Sequence, residues 1–75
     1  MKQTIKNPLK QGVKSADVKV MQEWLCYHGF PVVIDSEFGP ATNSAFLKFL
    51  NKCGIVSYTE VTQDLFDLLQ NPLVS

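Results

Sequence analysis

The chain contains no arginine. All seven of its basic residues are lysines, and seven acidic residues bring the formal net charge to zero. Arginine is the side chain that reads guanine and grips phosphate with two parallel bonds, and nucleic-acid binders need a basic face. Its absence, with charge balance, argues against a nucleic-acid partner. Long apolar runs are missing too. None approaches the roughly 18 residues of a membrane span, so no membrane partner is expected. The opening MKQTIKNPLKQG carries lysines but no apolar h-region and does not read as a secretory signal. A chain made in the cytosol, or cut from a longer exported protein, is the expectation. Cysteine is scarce: Cys26 and Cys53 are too few for a disulfide framework. Both sit in apolar runs and read as core residues, with one bridge between them left open.

What remains is a 75-residue chain that is 45% apolar, enough for one small globular domain. A domain of this size buries only roughly 60% of its unfolded surface, which leaves little room for a cleft as well as a core.

Residues 1 to 14 lack periodicity, and Pro8 and Gly12 suggest an extended lead-in with a turn. Ser15 reads as an N-cap with Asp17 in the first turn. Val18, Met21, Leu25 and His28 follow at helical spacing, and Gly29 with Pro31 ends a first helix over residues 15 to 28. Val32, Val33 and Ile34 then suggest a short extended segment. A second helix is launched by Gly39 and Pro40 and ends at Gly54. Its face is Thr42, Ala45, Phe46, Phe49, Leu50 and Cys53. A second extended stretch, IVSYT, leads to a third helix carrying Val61, Leu65, Phe66, Leu68 and Leu69, stopped by Asn71-Pro72. FGPATNSAFLKF from Phe38 lies over YTEVTQDLFDLL from Tyr58 at an offset of 20, matching Thr42 to Thr62 and Phe46 to Phe66. The expected fold is all-α: a compact three-helix domain over residues 9 to 70 with two short extended or turn segments. Residues 1 to 8 form the lead-in and 71 to 75 a tail.

Candidate chemistry is thin. Asp35 and Glu37 could flank a glycosidic bond, but nothing supplies a cleft or a pocket that would raise a carboxyl pKa. The simpler reading has Asp35 ordering a turn and Glu37 facing the positive end of the second helix. The same stretch lacks the alternating oxygen ligands of a calcium loop. Cys26 and His28, two apart on a helix, point to nearly opposite sides and cannot chelate one ion or act as a nucleophile pair. His28 is expected to pack at the end of the first helix. No catalytic residue, metal site or cofactor is therefore expected. Aromatic residues are more informative. Phe46, Phe49 and Phe66 follow core spacing. Sugars are held by aromatic faces with amides and hydroxyls nearby, which makes Trp24, Tyr27, Asn43 and Tyr58 the candidate ligand-binding residues.

LKQGVKSADVKVMQEWLCYHGF followed by IDSEFGPATNSAFLKF resembles the type 1 peptidoglycan-binding domain attached to bacterial and phage cell-wall hydrolases. Its first pattern, an apolar residue, a Gly turn, Asp-Val-x-x-Leu-Gln-x-x-Leu and Gly-aromatic, falls on Leu9, Gly12, Asp17, Val18, Met21, Gln22, Leu25, Gly29 and Phe30. The second, Asp-Gly-x-Phe-Gly-Pro-x-Thr with an apolar pair and Phe-Gln, falls on Asp35, Ser36, Phe38, Gly39, Pro40, Thr42, Ala45, Phe46, Phe49 and Leu50. The likeness spans residues 9 to 69. Ser36 replaces the usual glycine, Leu50 replaces the usual glutamine, and VSYTEVT lacks the Asp-Gly and Gly-Pro. The resemblance implies a three-helix module that binds peptidoglycan, through glycan or stem peptide, without cleaving it. It implies action at the bacterial cell wall beside an attached or associated hydrolase, such as a phage endolysin or an autolysin. The alternative is a protein-interaction module on the same scaffold, which an exposed Leu50 would favour.

Overall fold

Ser15 stands in extended backbone and accepts the Val18 amide through its hydroxyl at 3.4 Å, and the first helix starts behind it. The computed structural model describes residues 4–71. Among these are three helices, α1 (Ala16–Tyr27), α2 (Pro40–Lys52) and α3 (Gln63–Leu69), and no strand. The protein is a small all-α, three-helix domain. No helix among the described residues is long and apolar enough to cross a membrane.

α1 and α2 end by the same device. Gly29 has φ +91°, its N–H donates to the Cys26 carbonyl at 3.1 Å, and the Phe30 N–H donates to the Leu25 carbonyl at 2.8 Å. Gly54 has φ +90°, with Gly54 to Asn51 at 3.0 Å and Ile55 to Leu50 at 2.8 Å. Both are Schellman closures, in which the glycine takes the left-handed conformation and the last carbonyls are satisfied. His28 is thus the C-cap of α1 rather than its last helical residue.

The two later helices begin differently. Gly39 caps α2 without a side-chain bond, and Pro40 occupies the first turn. Thr62 caps α3 and accepts the Leu65 amide at 3.4 Å. The 20-residue repeat therefore does not preserve roles. Thr42 lies inside α2, whereas Thr62 precedes α3. The pattern does preserve burial at Phe46 and Phe66 and at Phe49 and Leu69. Val61, expected on the third helix, lies before it. Pro72, expected to stop that helix, falls outside the described residues.

Val61 is occupied elsewhere. Leu9 and Val61 exchange both backbone hydrogen bonds, at 2.9 and 2.6 Å. Gly12 donates to the Phe38 carbonyl at 2.8 Å, Phe38 to Val13 at 2.9 Å, and Ser15 to Ser36 at 3.1 Å. The lead-in is thus tied to the segments that open α2 and α3. Ile5 also enters the core, and its N–H donates to Gln63 Oε1 at 2.9 Å, so packing extends ahead of residue 9. The two β-branched stretches form no ladder. Val33 and Val56 are exposed, because neither stretch has a neighbouring strand to pair with.

α1 packs against both α2 and α3. Val18, Met21 and Leu25 meet Phe46, Phe49 and Leu50 of α2 and Phe66 and Leu69 of α3 in one core, all fully buried. Leu50 is in that core, which removes the exposed leucine that a protein-interaction surface would have used. Cys26 and Cys53 are free and half-buried, and burial pushes the Cys53 thiol pKa up.

Candidate functional site

A fully buried glutamine holds the turn between Ile34 and α2. Gln22, on the core face of α1, accepts the backbone N–H groups of Asp35 at 3.1 Å and Ser36 at 2.9 Å through Oε1. Its Nε2 faces three acceptors: Asp35 Oδ1 at 2.9 Å, the Glu37 carbonyl at 3.0 Å and Thr42 Oγ1 at 3.1 Å. A primary amide has two protons, so three acceptors share two donors. The Thr42 hydroxyl also donates to the Glu37 carbonyl at 3.4 Å. Asp35 turns back to accept the Glu37 N–H at 3.0 Å, closing an Asx turn. The Gln22 amide, then the Glu37 N–H, holds the Asp35 pKa below the usual carboxylate range. Such a group stays ionised and accepts; it does not serve as a general acid, which needs a raised pKa.

Ser36 sits in this turn at φ +66°, in the left-handed region where glycine is at ease and serine is strained. Glu37, expected to face the positive end of α2, instead points its side chain at Lys14, 3.8 Å away. Both side chains are more than half exposed, so this pair adds little. The α2 N-terminus has no side-chain cap: Gly39 stands at the N-cap, and Pro40 in the first turn removes one N–H that would need an acceptor.

The four candidate ligand residues form two pairs. Trp24 and Tyr27 meet edge to face on α1 with centroids 5.3 Å apart. Trp24 also stacks on His28 at 5.8 Å. Tyr27 is 62% exposed, and the two rings with Glu23 line a shallow depression of about 190 Å³. Asn43 and Tyr58 form the second pair, with the phenol donating to Asn43 Oδ1 at 2.5 Å. Tyr58 packs edge-on against Phe46 at 5.0 Å, and burial pushes its pKa up to about 12. Its hydroxyl is therefore spent on Asn43. Between the pairs runs a ladder of buried rings, His28 to Phe49 at 4.8 Å and Phe49 to Phe46 at 6.2 Å. The four residues do not make one surface. Trp24 and Tyr27 present a face to solvent, while Asn43 and Tyr58 tie the second loop to α2.

His28 is buried at the end of α1, as its spacing suggested. Its Nε2–H donates to the Leu69 carbonyl at 2.6 Å, which fixes the tautomer and pins α1 to the end of α3. Nδ1 is buried with no hydrogen-bond partner. No cluster of three or more His, Cys, Asp or Glu among the described residues is placed to hold a metal ion. Gln22 was named from the sequence as a position of the family pattern but given no role among the site residues; its other signal was a polar residue beside Met21 on the helix's apolar face. Comparison of the chain with protein-family models, curated proteins and solved structures finds no match.

Proposed function

We propose that this domain is a non-catalytic binding module for bacterial peptidoglycan that holds an attached or associated cell-wall hydrolase at its substrate. One observation carries the reading. The resemblance to the type 1 peptidoglycan-binding domain rests on two sequence patterns, and the polar residues of those patterns meet in space. Gln22 from the first pattern bonds Asp35, Ser36 and Thr42 from the second. A shared internal bond network gives a physical reason for those residue types at those positions, which a chance likeness would not supply. Trp24 and Tyr27 offer an exposed aromatic face of the kind that stacks on sugar rings. Modest affinity suffices for such a module, because tethering raises the effective concentration of the attached enzyme on the polymer.

Retention of the purified chain on sacculi, measured beside an unrelated three-helix protein, tests the proposal. Enrichment over that control is expected, and Tyr27→Ala, which removes a mostly exposed ring, is expected to reduce it while far-UV circular dichroism shows the fold retained. Retention no better than the control would sink the reading.

A further inference from the structure

A cleft of about 480 Å³ lies between the connection that follows α1 and the outer face of α2. Phe30 and Pro31 form one wall, and Ala41, Ser44 and Lys48 line the other, one helical turn apart. Its helix wall is lined by the small side chains Ala41 and Ser44, and Gly29, in the left-handed conformation, borders it on the other side. Its size falls within the range of small-ligand sites, roughly 300–1,000 Å³.

Its charge has one sign. Lys48 lines the cleft, and the Lys52 ammonium stands 5.9 Å from the Phe30 ring centroid. Neither lysine has an ion-pair partner among the described residues. Neither of the bordering segments, residues 29 to 34 and 40 to 52, contains an aspartate or glutamate. Two uncompensated ammonium groups beside an apolar, aromatic wall suit a short ligand with carboxylates and small aliphatic side chains. A neutral sugar would ask for several hydroxyl and amide partners, and Ser44 is the one side-chain hydroxyl here. A folded protein partner would need about 800 Å² of matching surface, more than this cleft presents.

We propose that this cleft binds the anionic stem peptide of peptidoglycan, with a peptide carboxylate on Lys48 and an aliphatic side chain against Phe30 and Pro31. The inference rests on the wall-binding reading and divides that function between two surfaces: peptide in the cleft, glycan on Trp24 and Tyr27.

The test is a chemical-shift titration of the isotope-labelled chain with free stem peptide, with the same peptide after its carboxylates are amidated, and with the peptide-free wall disaccharide. The native peptide is expected to shift the Ala41, Ser44 and Lys48 amides saturably, and the other two probes to leave them in place. Lys48→Glu is expected to weaken peptide binding by about tenfold or more, since a charged hydrogen bond is replaced by repulsion. Ala41→Trp, at an exposed position, is expected to fill the cleft and abolish binding while the melting curve stays unchanged. Equal binding of the amidated peptide, or shifts confined to the Trp24 region, would overturn the assignment. Retention on intact sacculi is measured in parallel. Sacculi bound without peptide in the cleft overturns this inference and leaves the wall reading standing. Peptide bound in the cleft without sacculus retention does the reverse.

Discussion

Replacing Gln22 tests the central claim about how this fold holds its longest connection. Two variants separate packing from hydrogen bonding. Gln22→Met keeps the length and most of the volume but deletes both polar functions. Oε1 then no longer accepts the Asp35 and Ser36 N–H groups, and Nε2 no longer serves Asp35 Oδ1, the Glu37 carbonyl and Thr42. Each net hydrogen bond contributes about 0.5–1.5 kcal/mol, and some of these groups lie near enough to the surface for water to replace the amide. A loss of about 2–4 kcal/mol is expected, against a total of roughly 4–11 kcal/mol for a domain of this length. Gln22→Glu keeps the acceptor but puts an oxygen where Nε2 donated, facing the Asp35 carboxylate. At neutral pH it is expected to be the less stable of the two. The introduced carboxyl has its folded-state pKa raised by that repulsion and by burial. Its protonated form restores one donor, so the variant gains stability as pH falls from 7 toward the unfolded carboxyl value of about 4.3. Denaturant unfolding at pH 7 and pH 5, followed by Trp24 fluorescence and far-UV circular dichroism, reads both effects. If Gln22→Met stays within about 0.5 kcal/mol of the parent and Gln22→Glu shows no gain at pH 5, the glutamine does not hold the turn and the reasoning is refuted.

Other outcomes follow from single positions. Ser36→Gly is expected to stabilise the protein by up to about 1 kcal/mol, the relief of left-handed strain exceeding the entropy gained by the unfolded chain; a lower denaturation midpoint would contradict the observed φ of +66°. The depressed Asp35 pKa means that its contribution is present above the unfolded carboxyl value of about 3.9 and is lost as pH falls through the folded value. Asp35→Asn is therefore expected to flatten the acid limb of the stability curve, measured by melting between pH 5 and pH 2. Tyr58, with its pKa near 12, contributes stability that is fully present below pH 10 and lost as pH rises through about 12. An ultraviolet titration should show a late tyrosinate step that Tyr58→Phe removes, and the same variant should lose about 1 kcal/mol with the Asn43 bond.

Much of the fold was legible in the sequence because its signals are local. Ser15, Gly29 and Gly54 act within a few residues, through a side-chain cap and the left-handed freedom of glycine. The periodic faces of the helices placed Val18, Met21, Leu25, Phe46, Phe49 and Phe66 in the core, since a 3.6-residue period decides which side of a helix can be buried. The Asp35 turn was readable for the same reason, as its bond to Glu37 spans two residues. Contacts over longer separations left little trace. The pairing of Leu9 with Val61, the turn to which Gln22 bonds, the seating of His28 on Leu69 and the division of Trp24 and Tyr27 from Asn43 and Tyr58 all depend on how the helices pack. The 20-residue repeat misled at Thr42 and Thr62 because the same residue type can cap a helix or bond inside it. Only the neighbours that packing supplies choose between them. The sequence by itself thus determined where the helices lie and which faces they bury, through interactions a few residues long. The tertiary structure decided which polar groups meet and which surfaces stay open to a ligand, because those are set by segments the chain brings together from far apart.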